Sequence, residues 1–134
     1  MPVKQVIVWR HDLKCRLGKK MAQAGHAAIA PFFAAFGDNT DADGNVSFKM
    51  SLAQFEWYLG NQKKIVLRVE NEADLLLLHQ RAKELGLPSY LIVDSGLTEW
   101  DYPTTTCLSI GPSEDSAIDE LTGEKGPLGR LQLL

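Results

Sequence analysis

Three polar side chains fall on one stripe of a helix that is otherwise made of small residues. In the segment from Asp12 to Ala27, DLKCRLGKKMAQAGHA, the residues Lys19, Gln23 and His26 are spaced four and then three apart. A helix stacks residues at that spacing along one face. Ala22, Ala24, Gly25, Ala27 and Ala28 have almost no side chain, so such a helix can pack very close to a sheet. Lys19 and Lys20 fall at the predicted helix start, where unpaired backbone N–H groups are already electropositive. A cation there costs a few tenths to about 1 kcal/mol, and the same geometry makes a place for an anion such as a phosphate. The plain alternative is a lysine that is simply solvated.

A second polar cluster, Asp94-Ser95-Gly96-Leu97-Thr98, follows a predicted strand directly. In α/β sheets, ligands lie outside the carboxyl ends of the strands. Gly96 permits a tight turn or the close approach of a ligand. Alternatively, Asp94 merely caps a turn. The chain has no Gly-x-Ser-x-Gly elbow and no Ser-His-Asp order that would support covalent catalysis.

The elements that must position these residues are legible from pattern. Lys4–Arg10, KQVIVWR, reads as a first strand. A loop through Asp12 leads to a helix starting near Lys19, which Pro31 should end or kink, with a further turn over Pro31–Phe36. Gly37–Lys49 is polar and turn-rich. Ser51 is placed to cap a helix over Leu52–Leu59, stopped by Gly60-Asn61. Lys63–Val69 is a second strand. Asn71 caps a helix over Glu72–Leu85 with a buried stripe of Leu75, Leu78, Ala82 and Leu85, and Gly86 stops it. Tyr90–Val93 and Thr105–Ile110 are the remaining strands, the last ended by Gly111-Pro112. Ser113 is placed to cap a short helix before Gly123, and the apolar tail Leu128–Leu134 is expected to dock on the body or on a partner. Strands alternating with helices predict an α/β fold in three layers, α/β/α, with the sheet covered on both faces.

The 134 residues suffice for one domain, 1–134, with a single core. No apolar run approaches the roughly 20 residues of a membrane span, and Met1–Arg10 lacks the apolar stretch of a secretory signal. Cys15 and Cys107 make no metal-binding spacing, so a reduced, cytoplasmic setting is the simple reading. The net charge of −3 argues against a chain that coats nucleic acid nonspecifically. Even so, Lys4, Arg10, Lys14, Arg16, Lys19 and Lys20 crowd the first twenty residues against Asp12 alone. A local basic patch of this kind is compatible with a nucleic-acid partner.

Taken together, VIVWRHDLK, GKKMAQAGHA, KKIVLRV, LIVDSGLT and TTTCLSIGP make the chain resemble the type 2 peptidyl-tRNA hydrolase family over nearly its whole length. The resemblance implies a homodimeric α/β domain with a mixed four-stranded sheet. It implies cleavage of the ester joining a peptide to the terminal ribose of tRNA, with no metal or organic cofactor. Carried over by position, the family's functional residues fall on Lys19, Asp94, Thr98 and Thr106. Gln23 and His26 match as their neighbours on the helix face, and Asp12 matches in the preceding loop.

Ester cleavage needs an activated water and stabilisation of a tetrahedral oxyanion. On this reading Asp94 orients or partly deprotonates the water, Lys19 supplies positive charge, and Thr98 and Thr106 position water or the substrate carbonyl. Lys14, Arg16 and Lys20 would bind tRNA phosphates. Gln23 and His26 would line the substrate side, with His26 as a support because it lies about 10 Å along the axis from Lys19. Trp100 is placed to stack on the terminal adenine, whereas Trp9 and Trp57 read as packing residues.

Some residues depart from the family pattern. Leu97 stands where the family usually has Arg or Lys, Trp100-Asp101-Tyr102 make the next loop bulky and acidic, and Pro31 is unusual inside the first helix. These features suggest a divergent member of bacterial type. They also keep alive a noncatalytic binding module of the same fold, taking tRNA or a protein partner. The four retained residues favour the enzyme. Asn39–Met50 echoes a calcium loop, but Met50 stands where a bidentate Glu belongs, so the segment reads as a polar connection with an Asp-Gly turn.

Overall fold

The computed structural model describes residues 1–33 and 40–134. Strand β1 (Val3–Arg10) lies inside the sheet, between β2 (Lys64–Val69) and β4 (Thr104–Glu114), with β3 (Ser89–Asp94) at the far edge. β1 runs parallel to β2 and antiparallel to β4, and β3 pairs antiparallel with β4. The sheet is therefore mixed and four-stranded, in the order β2-β1-β4-β3.

β1 alternates its side chains between two buried faces, as the period of two requires. Val6 and Val8 join Leu67, Val69, Leu108 and Ile110 under α3 (Glu72–Glu84) and α4 (Asp115–Thr122). Ile7 and Trp9 face the other way, with Cys107 and Ala27 of α1 (Leu17–Phe33). Gln5 also faces α1, and its amide donates to the Ala28 carbonyl at 3.0 Å. α2 (Leu52–Leu59) lies beside α1: Gln54 Nε2 donates to Pro31 O at 3.3 Å, and the Phe32 and Trp57 rings stack at 5.7 Å. Helices thus cover both faces, as the alternation of elements predicts.

Local signals explain most boundaries. Ser51 accepts from Gln54 N while the Gln54 side chain accepts from Ser51 N, a reciprocal cap for α2. Asn71 accepts from Asp74 N and caps α3. The tail docks on the body: Arg68 N donates to Gln132 O and Leu134 N to Val66 O, which covers part of the outer edge of β2.

Four expectations need correction. Pro31 does not end α1, which runs on to Phe33, because a proline in the last turn removes only one late hydrogen bond and its ring is buried. The rest of the predicted Pro31–Phe36 turn lies outside the described residues. Gly111-Pro112 does not end β4. The pairing with β3 stops at Ile110, so Pro112 lacks an N–H only where β4 keeps a single neighbour, and a bulge absorbs the pair. Gly111 is required there: at φ 90°, a Cβ would sit 2.8 Å from Lys4 O. Ser113 belongs to β4, and α4 begins after Glu114 without a side-chain cap. Leu85 falls just past the end of α3 and is exposed, so the buried stripe is Leu75, Leu78 and Ala82.

The Asp-Gly connection closes on itself. Asp41 Oδ1 accepts from the amides of Asp43 and Asn45, both at 2.9 Å, and Gly44 takes φ 84°. Asn39, the first residue of the calcium echo, lies outside the described residues.

Candidate active site

Helix α1 starts two residues before Lys19, and the Arg16 carbonyl accepts from Lys19 N at 3.1 Å and Lys20 N at 3.3 Å. Lys19 therefore leaves from the first turn, directly over the carboxyl end of β3. Its Nζ donates to Asp94 Oδ1 and to Thr98 Oγ1, each at 2.6 Å. The Trp100 ring centroid lies 5.5 Å from the same nitrogen. An ammonium has three donors, so one is left for a further oxygen.

Asp94 is buried, and every contact it makes favours the ionised form. Oδ1 also accepts from Gln23 Nε2 at 3.2 Å, and Oδ2 accepts from the amide of Gly96 at 3.0 Å. The Lys19 hydrogen bond, then the Gly96 amide, hold its carboxyl below the usual carboxylate range, against a smaller opposing effect of burial. Gly96 is needed at this turn, since a Cβ there would meet the Tyr102 carbonyl carbon at 2.4 Å.

Below this pair the bonds continue inward. Thr106 Oγ1 donates to Gln23 Oε1 at 2.7 Å, and Gln23 Nε2 in turn donates a hydrogen bond to Asp94 Oδ1. A bulge makes that possible. Ile92 pairs with Cys107 and Val93 with Thr105, so Thr106 is an extra residue in β4. Thr106 and Cys107 consequently both reach Gln23, the thiol donating to the Gln23 carbonyl at 3.6 Å. Burial pushes the Cys107 thiol up to about 11, which keeps it neutral and unreactive.

The residues singled out in the sequence therefore separate into layers. Lys19, Asp94 and Thr98 meet directly. Gln23 is buried, with both ends of its amide engaged, rather than exposed to a ligand. Thr106 is fully buried and reaches Asp94 only through Gln23. His26 is exposed one turn further along α1, and its charge adds slightly to the lowering at Asp94. Trp100 is half-buried beside Lys19. Lys14 is exposed, the Arg16 side chain is 92% exposed, and Lys20 sits over the Trp9 ring at 5.9 Å. Asp12 lies apart, held by Arg10 at 2.9 and 3.1 Å, while Arg10 also reaches Glu72 and the Thr105 carbonyl.

Sequence reasoning passed over Glu99. Its Oε2 accepts from Arg16 N at 3.0 Å, and it lines an open depression of about 560 Å³ with Arg16, Gly18, Lys19 and Thr98. A glutamate next to a threonine carries no signal of such a contact. Only the fold brings it to the start of α1. Among the described residues, no group of three His, Cys, Asp or Glu is placed to hold a metal ion. Nor is any helix among them long and apolar enough to cross a membrane.

An ammonium and an ionised carboxylate share one oxygen contact here, with a hydroxyl beside them and open space in front. Such an arrangement can polarise an oxygen and orient a water. A family model described as peptidyl-tRNA hydrolase PTH2 matches residues 3–125, and the chain belongs to that family of hydrolases. It is 44% identical over 123 residues to a peptidyl-tRNA hydrolase of Pyrobaculum aerophilum, covering 92% of this chain and 95% of that one. With the Methanopyrus kandleri peptidyl-tRNA hydrolase it shares 42% identity over 121 residues, 90% of this chain and 94% of the other. These relatives are archaeal and give no support to a bacterial-type branch. A solved Agrobacterium tumefaciens protein of unknown function aligns with a TM-score of 0.52 at 17% identity, over 88% of this chain and 91% of its own, and shows likeness of fold alone.

Proposed function

We propose that Lys19, Asp94 and Thr98 carry hydrolysis of the ester between a peptide and the terminal ribose of tRNA. The observation that carries the assignment is the Lys19 ammonium, held at 2.6 Å by both Asp94 and Thr98. Its remaining donor faces the oxygen that becomes negative as water adds to the ester carbonyl. Thr98 accepts from Lys19, so its own hydroxyl hydrogen is left to hold the water or the carbonyl. Asp94 is held below the usual carboxylate range, which makes it a weak base but a permanent negative charge. It orients the water and stabilises the positive side of the addition. Water oxygen bonds to the carbonyl carbon and gives up one proton, the bond to the ribose oxygen breaks, and that oxygen takes up the proton the water gave up and leaves as the free hydroxyl.

Gln23 and Thr106 are positioning residues in this scheme, since they fix the Asp94 carboxylate from below. Lys14, Arg16 and Lys20 supply phosphate contacts, and the half-buried Trp100 offers its open side to the terminal base. Leu97, 85% exposed, brings no charge to the surface, so the backbone contacts fall on those three cations. Recognition is of backbone and the single-stranded acceptor end, in the cytoplasm, by one domain over 1–134. Homodimerisation belongs to the same reading. Leu17, Met21 and Ile29 line the outward side of α1 in steps of four or eight, opposite the buried Gln23 and Ala27, and each is more than half exposed.

The test is hydrolysis of a labelled N-blocked aminoacyl-tRNA by the purified protein beside Lys19→Ala. The parent is expected to turn over and the variant to lose most of its rate. A folded parent that leaves intact substrate uncleaved would overturn the assignment.

A further inference from the structure

We infer that Glu99 is a positioning residue for this reaction: its carboxylate latches the Asp94–Thr98 turn to the start of α1 and so sets where Thr98 meets Lys19. The inference rests on the hydrolase reading of the site. Glu99 Oε2 accepts from the backbone N–H of Arg16 at 3.0 Å, while Oε1 lies 3.5 Å from Arg16 Nε. The Arg16 guanidinium is 92% exposed, so its ion pair with Glu99 is screened and holds little. The backbone bond is the firmer constraint.

Arg16 is thereby held from both sides, because its carbonyl accepts from the Lys19 and Lys20 amides. Two consecutive residues of the turn, Thr98 and Glu99, grip two points of the helix start, Lys19 and Arg16. The turn has little slack. Gly96 packs against the Tyr102 backbone so closely that no Cβ fits, and its amide is tied to Asp94. A movement of Glu99 therefore passes to Thr98. The carboxylate also lies where a helix N-terminus favours negative charge, beside the otherwise unfavourable Lys19 and Lys20. It borders the same depression as Lys19 and Thr98, where a negative charge repels tRNA phosphates. Its placement is accounted for by what it holds rather than by what it binds.

The test compares Glu99→Ala and Glu99→Gln in the full chain, since a glutamine side chain can still accept from Arg16 N. Glu99→Ala is expected to lower kcat roughly ten- to a hundredfold, the scale of a displaced catalytic group, while KM does not rise, because the charge removed there repels phosphates and is lost equally in Glu99→Gln. Glu99→Gln restores kcat. Amide hydrogen exchange supplies a readout that needs no activity. In Glu99→Ala the Gly96 amide exchanges faster along with that of Arg16, and both recover in Glu99→Gln. An unchanged kcat in Glu99→Ala, Gly96 exchange that stays at the parent rate, or a glutamine variant as slow as the alanine one would each overturn the latch. A parent without turnover, but with the expected exchange pattern, would remove the hydrolase reading and leave the latch standing.

Discussion

The two faces of one sheet are built on different principles. Toward α3 and α4 the sheet presents Val6, Val8, Leu67, Val69, Leu108 and Ile110, which pack on Leu75, Leu78, Ile118 and Leu121 without a polar atom among their side chains. Toward α1 the small side chains are on the helix, with Ala24, Ala27 and Ala28 over Ile7, Trp9 and Cys107 of the sheet. A polar chain runs through that face from Thr106 by way of Gln23 and Asp94 to Lys19 and Thr98. Large apolar side chains supply stability without needing direction. Small residues bring a helix close enough for short directional bonds, and those bonds aim charges. On the proposed assignment the chemistry lies on the opposite side of the strands from the larger apolar core, so the two faces should respond to different substitutions.

The largest effect is expected on the apolar face. Leu75→Ala empties a fully buried position and should cost about 2–5 kcal/mol in urea unfolding. The turnover of molecules that remain folded should be unchanged. On the polar face, Asp94→Asn should lower the rate by about 10²–10³-fold, as loss of an oriented electrostatic partner does. Its effect on unfolding should be smaller than that of Leu75→Ala, because the Lys19 side chain keeps some contact with water.

A subtler break lies deeper. Thr106→Val removes the donor that fixes the Gln23 amide and leaves a buried oxygen unpaired, at about 1–3 kcal/mol. The rate should fall with KM unmoved, since the change reaches the substrate only through Gln23 and Asp94. A change in KM alone would break the proposed chain.

The pH dependence follows from the direction of the Asp94 shift. Its folded-state value is depressed, mainly by Lys19 and the Gly96 amide. Its contribution to stability is therefore present above the unfolded-state value and is lost as pH falls through the folded-state value. Activity that needs the ionised form should hold through the ordinary carboxylate range and drop only below it. Without the Lys19 hydrogen bond, Lys19→Ala should move the Asp94 titration upward, which a carbon-detected NMR titration of the carboxyl reads directly. The smallest effect is expected of Leu97→Lys at the exposed tip of the turn. It should lower KM modestly, steepen the salt dependence of binding, and leave kcat alone.

Much of this was legible in the sequence where a local rule decides. Ser51 and Asn71 cap the helices that the sequence assigns to them, and Lys19, Gln23 and His26 share one helix, although the spacing that predicts one polar face leaves Gln23 buried and His26 exposed. The strand-end turn of Asp94 and Gly96 was readable for the same reason. What was not legible depends on tertiary partners. Gly111-Pro112 reads locally as a stop, yet β4 continues because only one neighbouring strand remains there. Thr106 reads as an alternating strand residue, and only the bulge turns its hydroxyl to Gln23. Gln23 looked like a surface neighbour of Lys19 until the close approach of α1 to the sheet buried it. Asp12, one residue among several in a basic stretch, is drawn off by Arg10.

The most direct measurement is single-turnover cleavage of an N-blocked aminoacyl-tRNA by Lys19→Ala and Leu108→Ala, at a temperature where both are folded. The predicted result is a parent-like rate per folded molecule for Leu108→Ala and a rate near background for Lys19→Ala. Equal losses in the two variants, or a Lys19→Ala protein that cleaves like the parent, would contradict the assignment of chemistry to the α1 face.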